Sequence, residues 1–284
     1  MTPNQYEKAT KALEEIQHLH PSLLVLSKLT RLLKELNVDQ QDLIDLIKTD
    51  ASLTSDVIRI SNTAFYGAKS KCSDISSALM IIGQNRVLKA VNLCVSRNVF
   101  NKDLEHYGIT ADDYWSNSLA AGFIMESLAE ATGQEADTAY TLGILHTVGM
   151  TIINRILNDL FIDMYWDSSI PQIEWEEHLT GYNYADAGAD VLDRWNFPHA
   201  FTEVIRHQVN PGRSNQPMLL LDCLHFVLQI LNLAGWQLQA YNLMELDEAS
   251  RHFLEANQIG EEQLGGILMQ ARDQMTRAMR MFAR

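Results

Sequence analysis

The sequence predicts an all-α protein, and three observations support this fold class. Only 14 of the 284 residues are glycine and 6 are proline, too few for the many tight turns of a β-rich protein. Apolar residues recur at three- and four-residue steps along most of the chain, which is the spacing of one face of an amphipathic helix. Aspartate and threonine residues precede several of these apolar stretches, where helix N-caps are expected.

The first helices follow from the spacing of leucine and isoleucine. The first apolar stripe has leucine at six positions: Leu23, Leu26, Leu29, Leu32, Leu33 and Leu36. Asn37 and Asp39 supply turn and capping chemistry before the second stripe, and Asp50 caps the third. Gly67 is expected to end the third helix, because glycine adopts the left-handed conformation of a helix end without strain.

The longer helices of the chain lie further on. Ser73 or Asp74 opens an apolar segment that extends to about Phe100, with an interruption near Gly83. The residues at 110–113 fit a capping box and start the next helix. Further helices are predicted around six segments: 137–158, 171–193, 198–208, 217–234, 247–256 and 261–282.

The polar stretch 101–110 (NKDLEHYGIT) is the best place to divide the chain. It predicts two packed helical subdomains, an N-terminal bundle at 1–105 and a larger bundle with C-terminal helices at 106–284. We find no strand alternation, internal repeat or low-complexity tract that would contradict this organisation.

Charge and cysteine content narrow the classes of function. The 22 Lys and Arg residues face 36 Asp and Glu residues, which gives a net charge of −14. Such a field repels phosphate backbones, so nucleic-acid binding is not expected. Cys72, Cys94 and Cys223 form no disulfide or metal-binding spacing, which suits a reducing compartment. With no secretion signal and no apolar run near the ~20 residues that cross a bilayer, we expect a cytoplasmic protein without a membrane contact.

Three segments carry the most specific patterns in the chain. They are SNTAFYG at 61–67 with DISSALMIIG at 74–83, WSNS at 115–118 with LGILHTVGM at 142–150, and GYNYADAGADVLDRWNFPHAFTEVIRHQVNP at 181–211. In order and spacing they resemble the HDOD family, a branch of the HD-domain metal-dependent phosphohydrolase superfamily. The resemblance covers roughly residues 20 to 230. It implies an all-α, HD-domain-like bundle and a bacterial signalling or regulatory role.

The residues at the family's metal-binding positions argue against catalysis. An active HD site needs several histidine and carboxylate ligands that converge on divalent metals such as Fe, Mn or Zn. These metals lower the pKa of bound water and neutralise charge on phosphoryl oxygens. By the resemblance, the adjacent His-Asp pair falls on His146 and Thr147, where a hydroxyl replaces the carboxylate. Other histidine positions fall on Asn117, Tyr184 and Gln208, so only one imidazole remains.

We therefore expect a non-catalytic HDOD-type regulatory module that needs no metal or other cofactor. Its partner is expected to be a protein in bacterial signalling or a small effector, and its oligomeric state stays open. The candidate ligand pocket comprises the residues at the old metal-binding positions: Asn117, His146, Thr147, Tyr184 and Gln208. For His146 itself, a buried histidine that hydrogen-bonds to a neighbouring helix is the simpler interpretation.

A second hypothesis remains open, that of a divergent metal-dependent phosphohydrolase, in particular a phosphodiesterase. Asp222 and His225 are three residues apart on a predicted helix, and His207 lies upstream. These side chains could join His146 around a relocated metal. This alternative requires at least three of them to lie within coordination distance of one point.

Overall fold

The structure is a computed structural model that describes five ranges of the chain: 21–35, 38–66, 71–83, 86–238 and 242–282. These residues form the predicted all-α bundle, and within them the only β-type pairing is an isolated bridge between Leu104 and Ile109. Two residues with a predicted role at helix ends, Asn37 and Gly67, lie outside the described residues.

The N-terminal helices pack around one central member of their group. They are α1 (Pro21–Leu32), α2 (Gln40–Lys48), α3 (Ala51–Ser61), α4 (Ile75–Ile82) and α5 (Val87–Val99). As predicted, the side chains of Asp39, Asp50 and Asp74 each accept a hydrogen bond from a backbone N–H in the first turn of α2, α3 and α4. Gly83, at φ +81°, separates α4 from α5. Helix α5 contacts α1, α3 and α4 with a mostly buried surface and so forms the core of this group.

The C-terminal helices assemble around α6, the longest of the described chain. They are α6 (Ala111–Thr132), α7 (Ala136–Leu145), α8 (Val148–Asp159), α9 (Gln172–Thr180), α10 (Tyr184–Arg194), α11 (His199–His207), α12 (Leu219–Ala234), α13 (Glu248–Ala256) and α14 (Glu261–Arg280). The predicted cap of α6 is confirmed, since the hydroxyl of Thr110 accepts a hydrogen bond from the backbone N–H of Asp113. Helix α6 contacts α5, α7, α12 and α14.

Two segments predicted as continuous helices are divided in the structure. The segment 137–158 separates into α7 and α8 at His146 and Thr147. The segment 171–193 is divided at Gly181, whose φ of +71° ends α9, and Asn183 then caps α10. Apolar residues continue across both breaks, so periodicity alone did not reveal them.

Side-chain contacts join the N-terminal helices to the rest of the protein. The Ser27 hydroxyl on α1 donates a hydrogen bond to the carbonyl of Asn196, after α10, at 2.9 Å. After α14, the Phe282 ring contacts the guanidinium of Arg59 and the ring of Trp115. Both groups therefore contribute to one continuous hydrophobic core, and the predicted boundary at residue 105 stays a prediction.

A helix needs both sufficient length and sufficient apolarity to span a membrane. In the part of the chain that the structure describes, no single helix combines the length and apolarity needed to cross a bilayer. Helices α4 and α5 reach that combination only as a pair bent by 115°.

Candidate functional site

His146 lies at the break between α7 and α8, and its side chain is only 1% exposed. Its Nδ1 lies 2.7 Å from the carbonyl oxygen of Gly143, one helical turn earlier. A carbonyl oxygen can only accept, so this contact assigns the ring proton to Nδ1. Burial lowers the pKa of His146 to about 4, although the hydrogen bond to Gly143 opposes this shift. The imidazole is therefore neutral at physiological pH.

Thr147 and Gln208 surround the same break with neutral groups. The side-chain N–H of Gln208 donates to the carbonyl oxygens of His146 and Ile205, both at 2.9 Å. The carbonyl of Thr147 accepts a hydrogen bond from the hydroxyl of Tyr114 at 2.6 Å. Gln208 Oε1 and Thr147 Oγ1 are buried without a hydrogen-bond partner among the described residues. Thus Tyr114 and Gln208 hold the α7–α8 break against α6 and the end of α11.

Glycine residues on both sides of His146 bring the surrounding helices into backbone contact. A Cβ added to Gly149 would overlap the carbonyl oxygen of Tyr184 and lie 2.5 Å from the backbone N of Gly188 on α10. A Cβ on Gly143 would lie 2.5 Å from the carbonyl oxygen of Ala121 on α6. The helices that would frame a metal cavity therefore pack closely on each other here.

The structure brings three of the five predicted pocket residues, His146, Thr147 and Gln208, together at the α7–α8 break. Tyr184 approaches the same segment through its backbone contact with Gly149, and its side chain is buried. Asn117 is half-buried on α6. Whether these residues bind a ligand stays a prediction.

A cleft of about 1040 Å³ lies elsewhere in the molecule, where the starts of α1 and α3 meet residues 98–105 and α8. Four asparagine residues, Asn98, Asn101, Asn154 and Asn158, are among the residues that line it. None of the five predicted pocket residues lines this cleft.

The two histidines that the alternative metal site would recruit, His207 and His225, make other contacts. His225 Nδ1 lies 3.0 Å from the carbonyl of Gln208, and its Nε2 lies 2.7 Å from a carboxylate oxygen of Asp247. His207 Nε2 faces the carboxylate of Glu203, on its own helix, at 3.5 Å. Asp222 is exposed on α12. Because both ring nitrogens of His225 face protein oxygens, neither is open to a metal in this arrangement.

The donor set does not fit the metals that HD-type chemistry implies. Within the described residues, no group of three or more His, Cys, Asp or Glu side chains is arranged to hold a metal ion. The old site offers one buried neutral imidazole and the uncharged oxygens of Thr147 and Gln208. Divalent Fe, Mn or Zn bound for hydrolysis requires several imidazole or anionic ligands.

A buried carboxylate that the sequence reasoning missed lies next to this region. Glu176 on α9 is fully buried and accepts hydrogen bonds from the Tyr107 hydroxyl at 2.7 Å, the Gln172 side-chain N–H at 2.8 Å and the Tyr184 backbone N–H at 2.7 Å. Burial raises the pKa of Glu176 to about 7, although these three hydrogen bonds lower it. This carboxyl group links the segment before α6 to the start of α10.

A comparison with protein families identifies the fold. The model of the HDOD domain family matches residues 21–211, which is most of the chain. The match includes all of α10 and the break between α7 and α8 at His146 and Thr147, called the His146 junction below. The chain belongs to the HDOD family. The match ends before α12, so α12 to α14 lie outside the matched HDOD region.

Individual relatives agree with this assignment. An HDOD domain protein of unknown function from Geobacter sulfurreducens is 20% identical, with a TM-score of 0.61 over 94% of this chain and 89% of its own. A structure from Shewanella amazonensis SB2B, provisionally named a phosphohydrolase, is 20% identical, with a TM-score of 0.63 over 96% of both chains. At this identity the two structures show the shared fold alone.

A curated relative matches part of a longer protein. This uncharacterized protein from Treponema pallidum (strain Nichols) is 26% identical over 203 residues, which cover 70% of this chain. The match covers 38% of the relative's length. The HDOD chain therefore spans well under half of that protein.

Proposed function

We propose that this HDOD protein is a non-catalytic regulatory module of bacterial signal transduction that acts by binding a protein partner. The observation that carries the proposal is the chemistry of the His146 junction. Its imidazole is neutral, its Nδ1 is hydrogen-bonded to Gly143, and Thr147 stands where the metal-binding carboxylate is expected. Close contacts at Gly143 and Gly149 support a structural use of this region.

The alternative, a divergent phosphodiesterase, requires metal ligands that this chemistry does not favour. His207, Asp222 and His225 would have to leave their present surroundings and converge on His146. For His225 this means breaking contacts to both ring nitrogens. A small effector at the old site would likewise have to separate helices that meet at Gly149, so we favour a protein partner on another surface.

The proposal is tested by metal analysis together with genetic complementation. We expect purified protein, prepared without added metal or chelator, to carry less than about a tenth of an equivalent of Fe, Mn, Zn, Co or Ni. We also expect no hydrolysis of phosphomonoesters, nucleotides or cyclic dinucleotides. About one or two equivalents of metal, lost in His146→Ala together with hydrolysis, would establish the phosphohydrolase instead.

Complementation tests the regulatory half of the proposal. A chromosomal deletion is complemented with the wild-type gene or with His146→Gln, which keeps a polar side chain of similar size but removes the imidazole. Both genes are expected to restore the transcript profile of the parent strain at equal protein levels. Failure of His146→Gln alone, with the variant folded and abundant, would contradict a non-catalytic role.

A further inference from the structure

The loop between α8 and α9 displays apolar side chains to solvent. Phe161 is 92% exposed, Tyr165 62%, Met164 49% and Ile170 43%. These four are among only nine large hydrophobic side chains that are exposed in the described part of the chain. Scattered exposed apolar residues are ordinary on protein surfaces, but four of them within residues 161–170 of one loop are more typical of an interaction site.

Hydrogen bonds to His106 and within the loop fix the backbone of this loop. His106 Nδ1 donates to the Met164 carbonyl at 2.9 Å, and the backbone N–H of Trp166 donates to the His106 carbonyl at 2.8 Å. The indole N–H of Trp166 closes the loop by donating to the carbonyl of Ile170 at 3.0 Å. The His106 ring also stacks on the ring of Tyr165. The apolar side chains are thus presented on an anchored backbone, which reduces the entropy lost on binding.

Folding stability does not account for Phe161, which lies at the start of the loop, two residues after α8 ends. Phe161 adopts a left-handed backbone conformation, with φ +54°, which is unfavourable for a bulky L-residue. At 92% exposure its ring gains little from burial. The chain therefore keeps a strained aromatic residue in solvent where asparagine or glycine would fit more easily.

The surroundings of the loop are acidic. Between Arg155 and Arg194 the sequence contains no Lys or Arg, and its exposed carboxylates are Asp159, Asp163, Asp167, Glu174, Glu177 and Asp193. The other three do not add free charge to this surface, because Asp186 and Asp190 are paired with Arg206 and Glu176 is buried. A hydrogen bond to Asp163 and, from outside this stretch, the nearby charge of Glu105 raise the pKa of the Tyr165 hydroxyl. Arg155 is paired with Asp159 at 2.8 Å. An apolar patch with this border repels anionic lipid and phosphate and attracts a basic border.

We propose that the loop 160–170 is a docking surface for a protein that offers an apolar groove bordered by Lys and Arg. Phe161 and Tyr165 are its central contacts, since aromatic side chains contribute most where they enter a partner's pocket. Asp163 and Asp167 are its border, which selects for basic residues and speeds association. This inference rests on the proposed partner-binding role and specifies the surface that performs it.

In-cell photocrosslinking on the full chain tests this surface directly. The photoreactive p-benzoylphenylalanine replaces Phe161 in one strain and Met244, another exposed apolar residue (84%), in a matched control. Position 161 is expected to give a discrete protein adduct whose crosslinked peptide lines an apolar groove with Lys or Arg at its edge. Adduct yield is expected to fall about tenfold in an Asp163→Lys/Asp167→Lys background, and position 244 is expected to give none.

Other results would overturn the inference in distinguishable ways. An adduct from position 244 alone would show a partner bound elsewhere, so the docking surface would be wrong while the proposed partner-binding function stands. An adduct at 161 that is insensitive to the charge reversal, or that contains a second copy of this chain, would refute the basic partner. Absence of any adduct would refute the surface, with complementation testing the function separately.

A membrane surface is the remaining occupant, and it is tested in vitro. Purified protein is sedimented with phosphatidylethanolamine/phosphatidylglycerol vesicles, alongside Phe161→Ser and the double lysine variant. We expect no wild-type binding above that of Phe161→Ser. Binding that Phe161→Ser abolishes would overturn the protein partner, and thermal unfolding of each variant verifies that it is folded.

Discussion

Helix α8 connects the His146 junction to the loop 160–170, yet the two regions differ in side-chain burial. The junction buries polar side chains, whereas the loop exposes apolar ones. At the junction, polar side chains are buried, helices meet backbone to backbone at Gly143 and Gly149, and the imidazole is neutral. In the loop, aromatic side chains are exposed and the backbone is strained at Phe161. His146, a candidate site residue, is part of the core, and the most exposed large hydrophobic side chain of the described residues, Phe161, lies on a loop outside it.

The largest effect is expected from a methyl group at the junction. Gly149→Ala places a Cβ against the Tyr184 carbonyl, and because the obstacle is backbone, α8 and α10 must move apart. We expect the free energy of unfolding to fall by about 3 kcal/mol, measured by urea denaturation.

Gly265→Ala on α14 is the matched control, since a Cβ there meets nothing within 4 Å. Because alanine favours a helix interior over glycine, this variant is expected to be more stable by up to about 1 kcal/mol. Equal effects of the two substitutions would refute close packing at the junction.

The buried carboxyl group of Glu176 lies beside the junction and titrates differently in the folded and unfolded states. The pKa of Glu176 is raised to about 7 in the folded protein, so the folded state binds this proton more tightly than the unfolded state does. Its contribution is fully present at low pH and is lost as pH rises from the ordinary glutamate range through 7. For Glu176→Gln we expect this component, about 2 kcal/mol between pH 5 and pH 8, to vanish from urea denaturation curves. A wild-type pH profile retained in the variant would contradict the assignment.

His146 produces the opposite slope in an overlapping pH range. Its folded pKa, about 4, lies below the usual value of 6.5, so the unfolded chain takes up the proton first as pH falls. Stability from this group is therefore present above pH 6.5 and is lost as pH falls towards 4. His146→Gln is expected to lose about 2 kcal/mol less than the wild type between pH 7 and pH 5. A steeper loss in the variant would mean that the imidazole is charged when buried.

The sequence was sufficient to predict the helices and much less informative about the site. Capping residues such as Asp39, Asp50 and Asp74 act locally, so their roles could be predicted from neighbouring residues. The break at His146 and Thr147 is held by Tyr114 on α6 and by Gln208 at the end of α11, both more than 30 residues away. The local spacing of apolar residues gives no information about such long-range contacts.

Glu176 shows what the sequence analysis overlooked. It lies three residues after Ile173 and three before Leu179, on the face of α9 that apolar spacing assigns to the core. A carboxylate at such a position is a usable indication of a buried, hydrogen-bonded group. Its donors, Tyr107 and the backbone of Tyr184, come from distant segments and could not be predicted.

The smallest expected effect is in the loop 160–170. It is a gain in the free energy of unfolding, whereas Gly149→Ala at the junction is expected to cause a loss. Phe161→Asn relieves the left-handed conformation at almost no cost in buried surface, so we expect the free energy of unfolding to rise by about 1 kcal/mol. Met164→Ser, another exposed change in the same loop, is the control and is expected to stay within about 0.5 kcal/mol of the wild type. If Phe161→Asn instead destabilises the protein, the ring has a packing role and its exposure no longer argues for a partner. A more stable variant that also loses the partner would show that this residue is kept for binding at the expense of stability.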